Sequence, residues 1–182
     1  MRCTGSELPG VLIFEPQIHE DERGSFFESF HQARFDQAVG APLRFVQDNQ
    51  SVSWRGVLRG LHYQLPPHAQ GKLLRVVMGE VFDVVVDVRR TSLNFGRWAG
   101  IRLSAQNRRE LWIPPGFAHG FLTLSESAVT VYKVTDYWAP EYERAIAWND
   151  PAIGIEWPAG LTPQLSAKDA AAPRLADAQV FD

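Results

Sequence analysis

The sequence predicts a mainly β fold, an antiparallel sandwich or barrel with a few short helices, on three observations. Between residues 45 and 137, glycine, proline and asparagine cut the chain into short β-rich runs. Two of these runs, Lys72–Met78 and residues 81–88, meet at Gly79-Glu80 and read as a hairpin, with valine and phenylalanine dominating as they do in buried strands. The second run also alternates: Phe82, Val84, Val86 and Val88 share one face, and Asp83, Val85 and Asp87 the other. Two acids on a valine-lined face need an answer. A polar cavity inside a barrel supplies it, as does an edge strand, and Lys72 or Arg75 could neutralise the charge from across the sheet.

Taken in order, residues 21–24 form a polar turn leading into a strand. Residues 31–39 (HQARFDQAV) predict a short helix ending at Gly40, with Phe35 and Val39 four apart on one face. Beyond residue 88, strands are expected at 98–103, 110–113, 120–124 and 128–135. After Trp157 the chain turns rich in alanine and proline, and residues 167–172 can form one or two helical turns before Pro173. The length suits one domain over residues 1–182, its core at about 10–158 and a tail at 159–182.

Composition narrows the function classes. With 45% hydrophobic residues and no long apolar run, the chain predicts no membrane segment. The N-terminus lacks the basic and apolar pattern of a secretory signal, so a cytoplasmic location is expected. The lone Cys3, in a terminus expected to fray, can form no internal disulfide. A net charge of −3 disfavours binding to a nucleic acid polymer but leaves room for a small anion at a local cluster of arginine and lysine.

The densest polar cluster is Arg59-Gly-Leu-His62-Tyr-Gln64, followed by Lys72. Arg59 and His62 have opposite parity on a regular strand, so a shared site requires a bulge or bend at Gly60. On its own, His62 fits a hydrogen-bonded structural histidine better than a base. A second cluster, Asp21-Glu-Arg23-Gly-Ser-Phe26-Phe-Glu28, fits a solvated hairpin turn as well as a binding element. The third, Pro114-Pro-Gly-Phe-Ala-His119, has the form P-x-G-x-x-H and resembles the second motif of cupin barrels. Metal-binding cupins usually supply two histidines one residue apart from the first motif, where this chain has His62-Tyr63-Gln64. The second imidazole is missing, so no metal and no other cofactor is expected.

From about Gly10 to Pro173 the chain resembles the dTDP-4-dehydrorhamnose 3,5-epimerase family. The motifs that carry the resemblance, in the family's order, are DERGSFFE, FVQDNQS, VLRGLHYQ, QGKLLRVVMGEVFDVVVDVR, LWIPPGFAHGFLTLSE, VYKVTDYW, WNDPAIGIEWP and LSAKDAAAP. It implies an antiparallel double-stranded β-helix, the cupin or jelly-roll barrel. It also implies metal-independent epimerisation at carbons 3 and 5 of dTDP-4-keto-6-deoxyglucose on the route to dTDP-L-rhamnose.

By the same resemblance, His62 is the general base, Tyr132 the general acid, Asp169 the carboxylate that orients His62, and Lys72 the group that stabilises the enolate. Arg23, Arg59 and Lys168 match contacts to the nucleotide and diphosphate. Glu28, Gln47, Asp48, Asn49, His119 and Glu143 match other ligand-contacting positions. Trp138 stands where some members carry a tyrosine that stacks on thymine, and core packing explains Phe26 as well as binding does. A homodimer in which N-terminal residues help to complete the neighbour's site is also implied. The alternatives are an epimerase that inverts a single carbon of another dTDP-4-keto-6-deoxy sugar, a ketoisomerase, a non-catalytic nucleotide-sugar-binding barrel and a metal-dependent cupin.

Overall fold

A computed structural model describes all residues, Met1–Asp182. The strands are β1 (Arg2–Gly5), β2 (Leu12–Glu15), β3 (Ile18–Asp21), β4 (Gly24–Phe27), β5 (Gln47–Trp54), β6 (Leu58–Gln64), β7 (Lys72–Met78), β8 (Glu80–Asp87), β9 (Trp98–Ser104), β10 (Glu110–Ile113), β11 (Phe117–Thr123), β12 (Ser127–Val134) and β13 (Glu143–Ala145). Helix α1 (Gln32–Val39) precedes β5, and a single turn, α2 (Ala167–Ala170), lies in the tail. The strands form two facing sheets, in the orders β1-β2-β10-β7-β12-β5 and β13-β6-β11-β8-β9, with every named pair antiparallel. This is the mainly β jelly-roll barrel that the sequence predicts. The β3–β4 hairpin stands apart from both sheets.

Residues 72–88 do not form the predicted hairpin. β7 pairs with β10 and β12 in one sheet, while β8 pairs with β11 and β9 in the other. Gly79 makes the corner at a φ of 76°, where a Cβ would lie 2.0 Å from the Ser127 carbonyl oxygen. The crossing lets both strands offer apolar residues to the space between the sheets, where Leu74, Val76, Val81 and Val85 meet Leu103, Leu111 and Phe121.

The alternation of β8 holds. Val84, Val86 and Val88 pack outward against Ile146, Ile153 and Leu175, so the C-terminal stretch covers that sheet. Asp83 and Asp87 turn inward and are both fully buried. Asp83 is answered by His119, while Asp87 takes Arg89 at 2.6 Å and Ser92 at 2.6 Å. Arg75 does not face them. It shares the outer face of β7 with Leu73 and lies 3.9 Å from Glu110.

Helix α1 begins at Gln32, one residue after the predicted start, with His31 as its N-cap, and is closed by Gly40 with φ 83°. Phe35 drives it onto the outer face of the six-stranded sheet, against Phe14, Leu73 and Trp112. Strand β11 starts three residues earlier than predicted, because Phe117 already pairs with Asp87. The first residues are ordered rather than frayed: β1 pairs with β2, with Cys3 opposite Phe14 and its thiol exposed.

Candidate active site

The site opens between the sheets, and a local irregularity in β6 creates it. His62 pairs with His119 and Arg59 with Phe121, so β6 advances three residues where β11 advances two. This bulge puts Arg59 and His62 on one face. Gly60 permits it with a φ of 135°, and a Cβ there would lie 2.5 Å from Gly120 Cα. The bend that a shared site requires is therefore present.

His62 Nε2 lies 2.6 Å from Oδ1 of Asp169, which the tail carries over the end of β6. Ser166 caps α2 by accepting the Asp169 backbone N–H at 3.1 Å, and the other carboxylate oxygen accepts the Gly60 N–H at 3.4 Å. Burial pushes the Asp169 carboxyl up, but its hydrogen bonds to His62, Gly60 and Ser166 and the His62 charge outweigh this and hold it below the usual range.

Lys72 and Tyr132 face His62 from the other sheet. Lys72 pairs with Val134, and Tyr132, two residues before Val134, points to the same inner face. Burial pulls the Lys72 ammonium down to about 8, against the opposing charges of Glu143 and Asp83. Burial likewise raises the Tyr132 phenol, which Arg59 partly offsets. Tyr132 therefore keeps its phenolic proton at neutral pH.

Two chambers meet at these residues, both lined by His62, Lys72 and Tyr132. One, of about 290 Å³, adds Gln47, Asn49, Trp138 and Glu143. The other, of about 440 Å³, adds Arg59, His119, Lys168 and Asp169. Lys168 and Glu143 form a 2.5 Å ion pair, and Glu143 also accepts from the Trp138 indole at 3.4 Å. Although burial pushes Glu143 up, the Lys168 contact holds its carboxyl below the usual range. Gln47 accepts the Trp138 backbone N–H at 3.2 Å, and Arg59 is braced by Ser53 at 2.9 Å. The only two cleft histidines are each committed to a separate carboxylate, and nowhere do three His, Cys, Asp or Glu side chains gather as metal ligands.

Eleven of the expected site residues come together here, and four do not. Asp48 falls on the outer face of β5, between the inward Gln47 and Asn49, where it is 71% exposed and paired with Lys133 at 3.1 Å. Strand alternation alone could have shown this. Arg23, 85% exposed, binds Asp21 two residues away, and Phe26 is 73% exposed on the same hairpin. Glu28 pairs with Arg34 at 2.8 Å. None of these four lines either chamber. Ser53, which braces Arg59, carries no local signal, whereas Ser166, the cap that holds Asp169, is marked by the S-x-x-D pattern of a helix start at residues 166–169.

An imidazole on one wall, with a phenol and an ammonium on the facing wall, is an arrangement that can remove a proton from one face of a carbon and return one to the other. The family model of dTDP-4-dehydrorhamnose 3,5-epimerase matches residues 5–177. The dTDP-4-dehydrorhamnose 3,5-epimerase of Pseudomonas aeruginosa is 57% identical over 181 residues, 100% of this chain and 99% of its own length. That of Salmonella typhimurium is 59% identical over 168 residues, 92% of each chain. Among solved structures, the dTDP-6-deoxy-D-glucose 3,5-epimerase of Legionella pneumophila in complex with dTDP-4-keto-L-rhamnose superimposes with a TM-score of 0.93. It is 51% identical and covers 97% of this chain and 93% of its own. Joined by sequence and fold, the chain belongs to the dTDP-4-dehydrorhamnose 3,5-epimerase family and is an isomerase.

Proposed function

We propose that the cleft binds dTDP-4-dehydro-6-deoxy-D-glucose and inverts carbons 3 and 5 to give dTDP-4-dehydro-L-rhamnose, with His62 as base and Tyr132 as acid. Both carbons flank the carbon 4 ketone, so removing either proton gives an enolate with its charge largely on oxygen. His62 takes the proton, and Asp169 holds the imidazole and stabilises the imidazolium that forms. Lys72 meets the developing oxygen charge. Tyr132 delivers a proton to the opposite face, and exchange with solvent resets both groups. The observation that carries this assignment is that His62 and Tyr132 come from facing sheets and line the same two chambers.

Arg59 and Lys168 serve the diphosphate, the indole of Trp138 stacks on thymine, and Gln47, Asn49, His119 and Glu143 make further ligand contacts. Arg23, Phe26 and Glu28 act on the cleft of a second copy in a homodimer. Two features support a dimer: the projecting hairpin, and the exposed Val52, Trp54 and Met78 side by side on the six-stranded sheet. We further propose that the enzyme works as a single domain in the cytoplasm. No helix is long and apolar enough to cross a membrane.

Proton NMR in deuterated water tests the assignment. Wild type places deuterium at carbons 3 and 5, and His62→Ala places it at neither. Label at carbon 5 alone would refute double inversion, and unchanged exchange in His62→Ala would remove the base.

A further inference from the structure

Gln64 stands where a metal-binding cupin carries its second histidine, and none of the roles above uses it. It follows His62 by two residues on β6, so both side chains face the cleft, and it is buried there. Its Nε2 donates to the His68 carbonyl at 2.7 Å and to the Tyr137 carbonyl at 3.2 Å, while its Oε1 accepts the Ala139 backbone N–H at 2.9 Å. Two carbonyls and one N–H fix the orientation of the amide, and both of its protons are taken. Although Gln64 borders the chamber of about 290 Å³, it has no donor left to offer a ligand.

The bonds to Tyr137 and Ala139 close around Trp138 from both sides. That residue lies in the irregular stretch 135–142 between β12 and β13, and none of the backbone N–H groups of residues 137–139 donates to a backbone carbonyl. Side chains take all three instead, in chain order Asp136 at 2.8 Å, Gln47 at 3.2 Å and Gln64 at 2.9 Å. Asp136 belongs to the same stretch, so these three groups are tied to the barrel by Gln47 on β5 and Gln64 on β6, one from each sheet. The indole of Trp138 is exposed and makes one hydrogen bond, 3.4 Å long, to Glu143. So exposed a ring keeps one orientation only if its backbone is fixed, and fixing it beforehand lowers the ordering cost when a base stacks on it.

We propose that Gln64 is a positioning residue for the nucleotide end of the cleft: its single amide clamps residues 137–139 and so presents the Trp138 indole to the base. This rests on the assignment of Trp138 to thymine.

A double-mutant cycle read by calorimetry with dTDP tests it. Trp138→Ala weakens dTDP binding about tenfold or more, the usual worth of an aromatic ring stacked on a base. Gln64→Leu, apolar and of similar volume, weakens it about fivefold, the worth of about one hydrogen bond. It leaves inorganic pyrophosphate, which has no base, binding as in wild type, and raises KM for the sugar nucleotide with little change in kcat. In the Trp138→Ala background the same substitution costs less than about twofold, because the ring it positions is gone.

The proposal is overturned if Gln64→Leu binds dTDP as wild type does, if pyrophosphate weakens to the same extent, or if the two losses multiply in full. The last two are what general damage to the fold gives. Should Gln64→Leu not fold, Gln64→Glu decides by the same cycle, since it keeps the volume and the acceptor for Ala139 but loses the donors to His68 and Tyr137. A Trp138→Ala protein that binds dTDP as tightly as wild type would instead overturn the assignment of Trp138 to the base, and the clamp with it, a failure separate from the others.

Discussion

The cleft and the β3–β4 hairpin both carry residues expected to bind the ligand, but they hold their charges differently. In the cleft three pairs of ionisable groups join distant elements: His62 with Asp169, His119 with Asp83, and Lys168 with Glu143. On the hairpin Arg23 is answered by Asp21 two residues away, with both side chains in water. The first arrangement is fixed by the fold and electrostatically strong, because solvent is largely excluded. The second is local, screened and free to rearrange. The proposed chemistry therefore sits in the cleft, and the hairpin side chains would gain a comparable environment only against a second surface.

That contrast predicts a graded set of losses. His62→Ala should cost about 10²–10⁴ in kcat, the usual worth of a positioned base, as read by the rate of deuterium entry at carbons 3 and 5. Lys72→Met should lower kcat about a hundredfold. It should also stabilise the protein: a fall from 10.5 to about 8 means that burying the charged form costs roughly 3 kcal/mol. The sign follows from proton binding. Between about pH 8 and 10.5 the unfolded chain holds the Lys72 proton and the folded chain does not, so this group makes stability rise with pH in that window and subtracts from it below. Lys72→Met removes that rise and raises the melting temperature at neutral pH; an unchanged melting curve would mean the ammonium is well solvated.

Asp169→Asn should cost about tenfold or more in kcat by loosening His62. Its carboxyl titrates below the ordinary 3.8, so its share of stability is complete above that value and disappears as the pH falls through the lower native one. Acid denaturation of Asp169→Asn should accordingly be shallower than that of wild type.

Much of this was legible in the sequence, and the failures have physical causes. Local alternation found the strand of Asp83 and Asp87, and the opposite parity of Arg59 and His62 called for the bulge that Gly60 provides. Alternation cannot tell whether two successive strands pair or part, so it reads the corner at Gly79 as a hairpin; only the contact with Ser127 at the start of β12 shows why a glycine stands there. Asp48 was carried along with its neighbours Gln47 and Asn49, although strand parity turns it away. β1 went unnoticed because its pairing with β2 draws on the sheet rather than on its own four polar and small residues. The position of the β3–β4 hairpin relative to the cleft is set by long-range packing and leaves no local mark.

The smallest expected effect probes the hairpin and separates the two regions most sharply. A charge-assisted contact from Arg23 to a diphosphate is worth about 1.5–3 kcal/mol, so Arg23→Ala should raise KM about tenfold or more and leave kcat nearly intact. The melting temperature should not move, because the side chain is exposed and touches only its own turn. If the hairpin serves the neighbour, two defective chains repair each other. Mixing Arg23→Ala with His62→Ala gives dimers in which the intact His62 receives an intact Arg23 from the other subunit, and those sites regain the wild-type KM. A raised KM in every active site of the mixture would assign Arg23 to its own subunit's cleft, which would require the hairpin to fold back from where it stands.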